Sequence, residues 1–109
     1  MKNFTNARRL KVFSKTYDLS FVLDLEGEDQ EGNTHNLDGH HLYYEEQIKI
    51  KENNPISIQW KTLWHEVVHS ILPQIGYGEL ASNEPFVESL SNCICQVLQD
   101  NPFMRGIEK

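Results

Sequence analysis

The residues best suited to chemistry in this chain are two histidines and a glutamate within the stretch His65-Glu66-Val67-Val68-His69. Residues four apart on an α-helix differ by about 40° in direction and about 6 Å in height, so these two imidazoles can converge on one cation. Neutral imidazole is a good zinc ligand, and a catalytic zinc takes three protein ligands plus a water. Glu66 points along the rim of the same face and can accept a proton from that water. The spacing therefore predicts a zinc-dependent hydrolase with His65 and His69 as ligands and Glu66 as general base.

A third protein ligand is expected on the next predicted helix, which carries Glu84 and Glu88. These two residues are four apart and share a helical face. The helix dipole already accounts for an acidic residue in the first turn, where Glu84 lies, and this argument favours Glu88 as the third ligand. Glu84 stays open as the alternative. The residue types alone do not select zinc over manganese, iron or nickel.

A metal-free interpretation of the motif also stays open, in which the histidines are core or interface residues and Glu66 is solvated. The composition of the helix argues against it, because buried imidazoles and a buried carboxylate are costly without partners. The remaining positions of this helix are almost all apolar, which is typical of a helix covered by its neighbours. They are Trp60, Leu63, Trp64, Val67, Val68, Ile71 and Leu72.

The first half of the chain predicts the strands that support this helix. Leu10 to Leu25 contains β-branched and aromatic residues with partial alternation and predicts one or two strands. Glu26 to Gly39 is rich in Gly, Asp, Glu, Asn and Gln and predicts a long acidic loop, or a hairpin connection with a mobile tip. His40 to Lys51 predicts one sheet strand with a wet face, because its second half alternates with a period of two.

The second half predicts two helices. Ser57 offers an N-cap hydroxyl to a helix from about Ile58 to Leu72, ahead of Pro73. After a linker over residues 74–82, a second helix opens near Asn83 and ends at Asn101-Pro102. Together these elements predict an α+β fold, a small twisted and partly antiparallel sheet packed on two main helices, in a single domain over residues 1–109.

Charge and composition restrict the partners and the compartment. The 10 basic and 16 acidic residues give a net charge of -6, which would repel a phosphate backbone, so no nucleic-acid partner is expected. No apolar run approaches the length of a membrane span, and no membrane partner is expected. Cys93 and Cys95 are two apart on a predicted helix and are poorly placed to pair. A reducing cytoplasm is the expected compartment.

From about His40 onward the chain carries a strand, the H-E-x-x-H helix and a glutamate-bearing helix, and this order resembles the gluzincin metallopeptidases. It resembles more closely the very short zincin-like proteins of phages and prophages, and is similar, more distantly, to the ImmA/IrrE-type peptidases. The resemblance picks Glu88, nineteen residues beyond His69, as the third ligand. Asn92 falls where the thermolysin-like pattern has an Asp that supports a metal-binding histidine without touching the metal. The resemblance implies a minimal zincin-like metallopeptidase in a bacterial or phage-infected cytoplasm.

The resemblance also implies that an extended peptide or protein substrate pairs with the strand facing the metal, within His40 to Lys51. Tyr77, between two glycines, is the best candidate for polarising the scissile carbonyl. Larger gluzincins form their cleft between two subdomains, so a partner protein or a second copy could complete a cleft this small. The alternative function is a non-catalytic binding or regulatory protein on the same scaffold. Other candidate cleft residues are His40, His41, Tyr43 and Tyr44.

Overall fold

The computed structural model describes residues 8–23, 26–28, 34–36 and 38–105. Within these ranges the strands are β1 (Arg8–Val12), β2 (Lys15–Val22), β3 (Glu26–Glu28), β4 (Thr34–Asn36), β5 (Gly39–Leu42) and β6 (Gln47–Lys51). The helices are α1 (Ile56–Gln74), α2 (Gly78–Ala81) and α3 (Glu84–Asp100), followed by a 3-10 turn at Pro102–Arg105.

Four of the strands form one open, mixed sheet in the order β1-β2-β6-β5. β1 and β2 are antiparallel, β2 and β6 are parallel, and β5 and β6 are antiparallel, so that Ile48 of β6 lies between Leu19 of β2 and His41 of β5. β3 and β4 form a separate antiparallel pair. The predicted α+β fold, with a partly antiparallel sheet and two main helices, is confirmed.

Two turns divide the predicted strand regions. The chain reverses after β1 at Phe13, whose φ is 54°, so the first region forms two strands. The region His40 to Lys51 was predicted as one strand, and this is wrong: residues 43–46 form a turn between β5 and β6. Glu46, with φ 56°, ends that turn, and such left-handed backbone interrupts a strand.

The acidic segment is a connection with strands at both ends. β3 pairs with β4 through Gly27 opposite His35, which favours the hairpin alternative over an unbroken loop. The predicted mobile tip, residues 29–33, lies outside the described residues. The segment ends at Gly39, the first residue of β5.

The core explains why α1 is apolar on nearly every side. Its first layer is formed by alternate buried residues of β2 and β6, against which Leu63, Val67 and Ile71 of α1 pack. On its opposite side Val68 and Leu72 pack against Val87 of α3. The sheet and α3 therefore cover α1 from two directions, and burial of such side chains contributes about 1.5 to 3 kcal/mol each. The buried apolar residues of the strands are Val12, Tyr17, Leu19, Phe21, Ile48 and Ile50.

The ends of α1 differ from the prediction. The helix begins at Ile56 with Pro55 as N-cap and without a side-chain cap, so the predicted Ser57 cap is wrong. Pro55 has a fixed φ of -56°, and its carbonyl accepts from the N–H groups of the first turn. At the other end Pro73 lies inside the last turn, and the chain leaves the helix at Gly76, whose φ of +90° suits glycine.

α3 begins and ends where the sequence predicted. The Asn83 side chain caps it by accepting a hydrogen bond from the Phe86 N–H at 3.1 Å, and Pro85 occupies the first turn. The linker before it contains the short helix α2. None of the helices within the described ranges combines the length and the apolar content that crossing a bilayer requires.

Candidate metal centre

Two imidazoles of α1 and one carboxylate of α3 converge at the edge of the helix pair. His65 Nε2 lies 3.2 Å from His69 Nε2. The Glu84 carboxylate spans both, with Oε1 2.9 Å from His69 Nε2 and Oε2 3.2 Å from His65 Nε2. These three residues form a group that could hold a metal ion.

The separations within this group can be compared with those that a metal requires. Zinc–nitrogen and zinc–oxygen bonds of about 2.0 to 2.2 Å in tetrahedral geometry place neighbouring ligand atoms about 3.3 to 3.5 Å apart. The separation between the two Nε2 atoms, 3.2 Å, is close to that value. Because His65, His69 and Glu84 offer two imidazole nitrogens and a carboxylate, their donor set also suits zinc.

The sequence favoured Glu88 as the third ligand, but the structure places the other α3 glutamate, Glu84, next to the two imidazoles. Glu84, not Glu88, faces the Nε2 atoms of both histidines. Glu88 instead places Oε2 2.9 Å from His65 Nδ1, the opposite nitrogen of that ring. The helix dipole does account for an acid at the start of α3, but it does not stop the same side chain from reaching across to α1.

Glu88 lies beside the Nδ1 side of the His65 ring and is not part of the group that could hold a metal ion. His65 Nδ1 is buried, and its only close carboxylate among the described residues is that of Glu88, which it approaches without ideal hydrogen-bond geometry. Asn92, one turn further along α3, donates to Glu88 Oε1 at 3.4 Å. A carboxylate beside the second nitrogen of a metal-binding histidine fixes the ring orientation and raises the basicity of the ligand.

Glu66 lies between α1 and β5, on the sheet side of the histidines. It is 7% exposed, and its side chain lies against Gly39 of β5. Burial, together with the negative charges of Glu84 and Glu88, raises the pKa of the Glu66 carboxyl to about 8. In the metal-free protein this carboxyl is therefore largely protonated at neutral pH, and only its ionised form can accept a proton.

His69 is kept in the neutral form that a metal requires. Burial lowers the pKa of His69, while the Glu84 carboxylate opposes this shift. His41 of β5 lies parallel to the His69 ring, with 6.3 Å between the ring centroids. Its Nε2 lies 2.9 Å from the Tyr17 hydroxyl, which is 2.6 Å from Ser70 Oγ in the core. Burial also lowers the pKa of His41 to about 4, so this ring is uncharged near neutral pH.

No protein-family model matches this chain, and no curated protein or solved structure matches it significantly. The residues and geometry of the site are therefore the basis for its function. The resemblance to gluzincins stays an expectation from the sequence.

An open cleft of about 620 Å³ lies over the metal centre and brings Glu66, both histidines and both α3 glutamates to one surface. His40 and His41 also line it, as expected of cleft residues. Tyr77 does not line the cleft: it precedes α2 and is 57% exposed. The predicted role of Tyr77 in polarising a carbonyl has no support from this position. Tyr43 and Tyr44 do not line the cleft either.

Sequence reasoning missed part of the cleft. Ile58, Lys61 and Thr62 line it and precede His65 by seven, four and three residues, so helical spacing could have identified them. Asp38 and Gly39 line it as well, but the sequence carries no local signal for that because it depends on how β5 packs against α1.

Proposed function

We propose that this protein is a zinc-dependent metallopeptidase in which His65, His69 and Glu84 hold the metal and Glu66 is the general base. The observation that carries the proposal is the convergence of two Nε2 atoms and one carboxylate, with atom separations of 2.9 to 3.2 Å. Two histidines and a glutamate are a ligand set of catalytic zinc, which leaves a fourth position for water. When bound, the metal acidifies that water and polarises the carbonyl under attack.

Glu66 suits the role of a proton carrier. Its carboxylate is close to the metal ligands but is not among the group that could bind the ion. A cation held by His65, His69 and Glu84 would favour the ionised form of Glu66, and that carboxylate could then accept a proton from water. The same carboxyl group can then deliver the proton to the departing amine nitrogen, which leaves as a neutral amine.

The substrate class is proposed from the sheet edge beside the cleft. β5 is the terminal strand of the four-stranded sheet, and among the described strands it pairs only with β6. Gly39, His40 and His41 of this strand line the cleft. An extended peptide could add to the unpaired edge by main-chain hydrogen bonds, which would hold a scissile bond next to the metal.

Glu84 as third ligand also agrees better with the gluzincin resemblance than Glu88 does. The residue four positions beyond Glu84 is Glu88, an acid, whereas the residue four positions beyond Glu88 is Asn92. In the thermolysin-like pattern this position holds an Asp that supports a metal-binding histidine. The contact between Glu88 Oε2 and His65 Nδ1 is the contact such a residue would make.

The test is the Glu66→Gln variant, assayed with tag-free protein on a mixed peptide library and read by mass spectrometry. We expect the wild type to bind one zinc and to cleave peptides, with activity lost in a chelator and restored by zinc. Glu66→Gln should keep zinc and lose turnover by about 100-fold or more, since a general base contributes that much. His69→Ala should lose the metal.

Glu45→Gln is the matched control, because Glu45 is an exposed glutamate of the β5–β6 turn and should behave as wild type. Full turnover in Glu66→Gln would disprove the base assignment. Bound zinc with no cleavage of any peptide in the wild type would instead favour the non-catalytic binding protein.

A further inference from the structure

One end of the cleft carries a cation that has no ion-pair partner in the part of the chain that the structure describes. Lys61 lies one helical turn before His65 and lines the cleft. Among the described residues it takes part in no ion pair. The nearby Cys95 is not a counter-ion, because burial raises the pKa of its thiol and keeps it neutral. Within the described part of the chain, the cleft lining therefore offers an ammonium group that no carboxylate pairs with, beside several carboxyl side chains.

The packing of β5 against α1 fixes which end of a bound peptide would meet Lys61. Gly39 at the start of β5 lies against Thr62 and Glu66, and His41 further along lies against His69. β5 and α1 therefore run in the same direction at the cleft. A peptide antiparallel to β5 runs the opposite way and points its carboxyl-terminal end towards Lys61. Antiparallel pairing is the commoner and slightly more stable arrangement.

The spacing limits how far the peptide continues beyond the scissile bond. Lys61 and His65 are separated by about 6 Å along the helix axis, given a rise of 1.5 Å per residue. An extended peptide advances about 3.3 Å per residue, so this distance corresponds to about two residues. Ile58, half-buried in the same part of the cleft, offers an apolar surface to their side chains.

We propose that the cleft takes the carboxyl-terminal end of a peptide, with Lys61 binding the terminal carboxylate one or two residues beyond the scissile bond. This inference rests on the proposed peptidase function and makes the protein a carboxyl-terminal exopeptidase. The opposite peptide direction is disfavoured because it would bring a protonated terminal amine against the Lys61 ammonium. Asp38, the acidic lining residue next to β5, accepts a hydrogen bond from Asn54 Nδ2 at 2.9 Å. Lys61 is thus the group at this end that attracts a carboxylate.

The experiment compares two N-acetylated tetrapeptides of the same sequence, one ending in a free carboxylate and the other in a carboxamide. Zinc-loaded wild type should cleave the free acid about 10-fold faster or more, in kcat/KM, since a charge-assisted contact has that magnitude. Cleavage should release one or two carboxyl-terminal residues. Lys61→Met should lower kcat/KM for the free acid to the value for the amide. Lys61→Arg should retain part of the preference for the free acid.

Binding supplies a readout that does not need turnover. With Glu66→Gln as background, titration calorimetry should show weaker binding of the free acid when Lys61→Met is added, and no change for the amide. Lys11→Met is the control, because Lys11 is exposed on β1, at the opposite edge of the sheet from β5. Each titration is run with and without zinc.

Equal cleavage of acid and amide, or an acid preference that survives in Lys61→Met, would overturn the assignment of Lys61 while leaving the peptidase function intact. Absence of zinc binding and of cleavage would overturn the peptidase function instead. In that case equal binding of both peptides would overturn the Lys61 proposal as well, and a Lys61-dependent preference would support it as a carboxylate-binding site.

Discussion

Glu84 and Glu88 carry the same charge on the same helical face, yet they meet different nitrogens of the histidine pair. Glu84 faces the Nε2 atoms of both rings, and Glu88 faces Nδ1 of His65. A metal uses one nitrogen of each ring, so the two carboxylates cannot have equivalent roles. The one beside Nε2 can share the ion, and the one beside Nδ1 can only hold the ring.

This difference predicts unequal losses of zinc affinity in two isosteric variants. Glu88→Gln keeps a hydrogen-bonding group near Nδ1 and should weaken zinc binding by between about 10- and 100-fold, the usual effect of a residue that supports a ligand. Glu84→Gln removes a charged ligand and should weaken zinc binding more than Glu88→Gln does. Competition with a fluorescent zinc chelator measures both affinities.

The control for these variants is Glu79→Gln, an exposed glutamate of α2 that should leave the affinity unchanged. A larger loss in Glu88→Gln than in Glu84→Gln would exchange the two roles and restore the ligand that the sequence favoured.

A sequence pattern within one helix predicts the placement of single residues, whereas a contact between two helices leaves no such pattern. The spacing of His65 and His69 lies within one helix, so it predicted which face carries them. The choice between Glu84 and Glu88 depends on how α3 crosses α1, which no local pattern encodes. The place of Tyr77 outside the cleft lining has the same origin, because a residue between two glycines can be identified from sequence while its distance from another element cannot.

At the scale of elements, the position of Glu66 depends on the close approach of β5 to α1. Gly39 has no side chain, and a Cβ at that position would collide with Thr62 Cγ2 and lie 3.1 Å from Glu66 Oε2. With glycine there, the strand can pass over the helix without moving the Thr62 side chain. Gly39, at the end of the acidic segment, is therefore part of the site. The composition of that segment predicted only a loop or a hairpin.

Gly39→Ala should destabilise the protein by about 1 to 3 kcal/mol, the usual range for overpacking, and should also lower turnover because the Glu66 carboxylate is displaced. Thermal unfolding and a peptide assay measure the two effects. Gly78→Ala is the control, because its added Cβ would meet only ordinary contacts at 3.9 Å and beyond.

A second substitution distinguishes steric overlap from other causes. Thr62→Ser removes the methyl group in the collision but keeps the hydroxyl that donates to the Ile58 carbonyl at 2.8 Å. The double variant Gly39→Ala/Thr62→Ser should recover most of the lost stability. If it remained as unstable as Gly39→Ala alone, close approach would not be the reason for the glycine.

The sequence predicted the elements of the fold well wherever one helix or strand carries its own signal. Asn83 and Pro85 mark the start of α3: Asn83 caps the helix and Pro85 lies in its first turn, as the sequence predicted. The division of His40 to Lys51 into two strands was missed, because the turn uses Glu46 rather than glycine for its left-handed backbone. The residues of this turn are not the types that usually mark turns, so the sequence did not predict it.

At the scale of the whole molecule, the sheet, α1 and α3 form three layers, and the cleft opens where β5, α1 and α3 meet. Its lining residues come from these elements and from Asp38. The expectation that a partner protein or a second copy completes the cleft is compatible with this open arrangement and stays a prediction.

The layered core also makes the stability of the metal-free protein depend on pH through Glu66. The pKa of this carboxyl is about 8 in the folded chain and about 4.5 when unperturbed, with burial as the main cause. Between these values the folded state binds more protons than the unfolded state, so stability must fall as pH rises. The contribution of Glu66 is complete below about pH 4.5 and is lost as pH rises through about 8.

In a chelator, we therefore expect the wild type to lose roughly 1 kcal/mol of unfolding free energy between pH 7 and pH 9, because each unit of pKa corresponds to about 1.4 kcal/mol. His41 does not interfere in this window, since its pKa lies near 4 in the folded state and near 6.5 unperturbed. Glu66→Gln has no charge to bury and should show a flatter profile, with the higher stability at pH 9. Urea unfolding at several pH values gives both profiles. Parallel profiles would mean that the Glu66 carboxyl is solvated in the folded protein and that its pKa is not raised by burial.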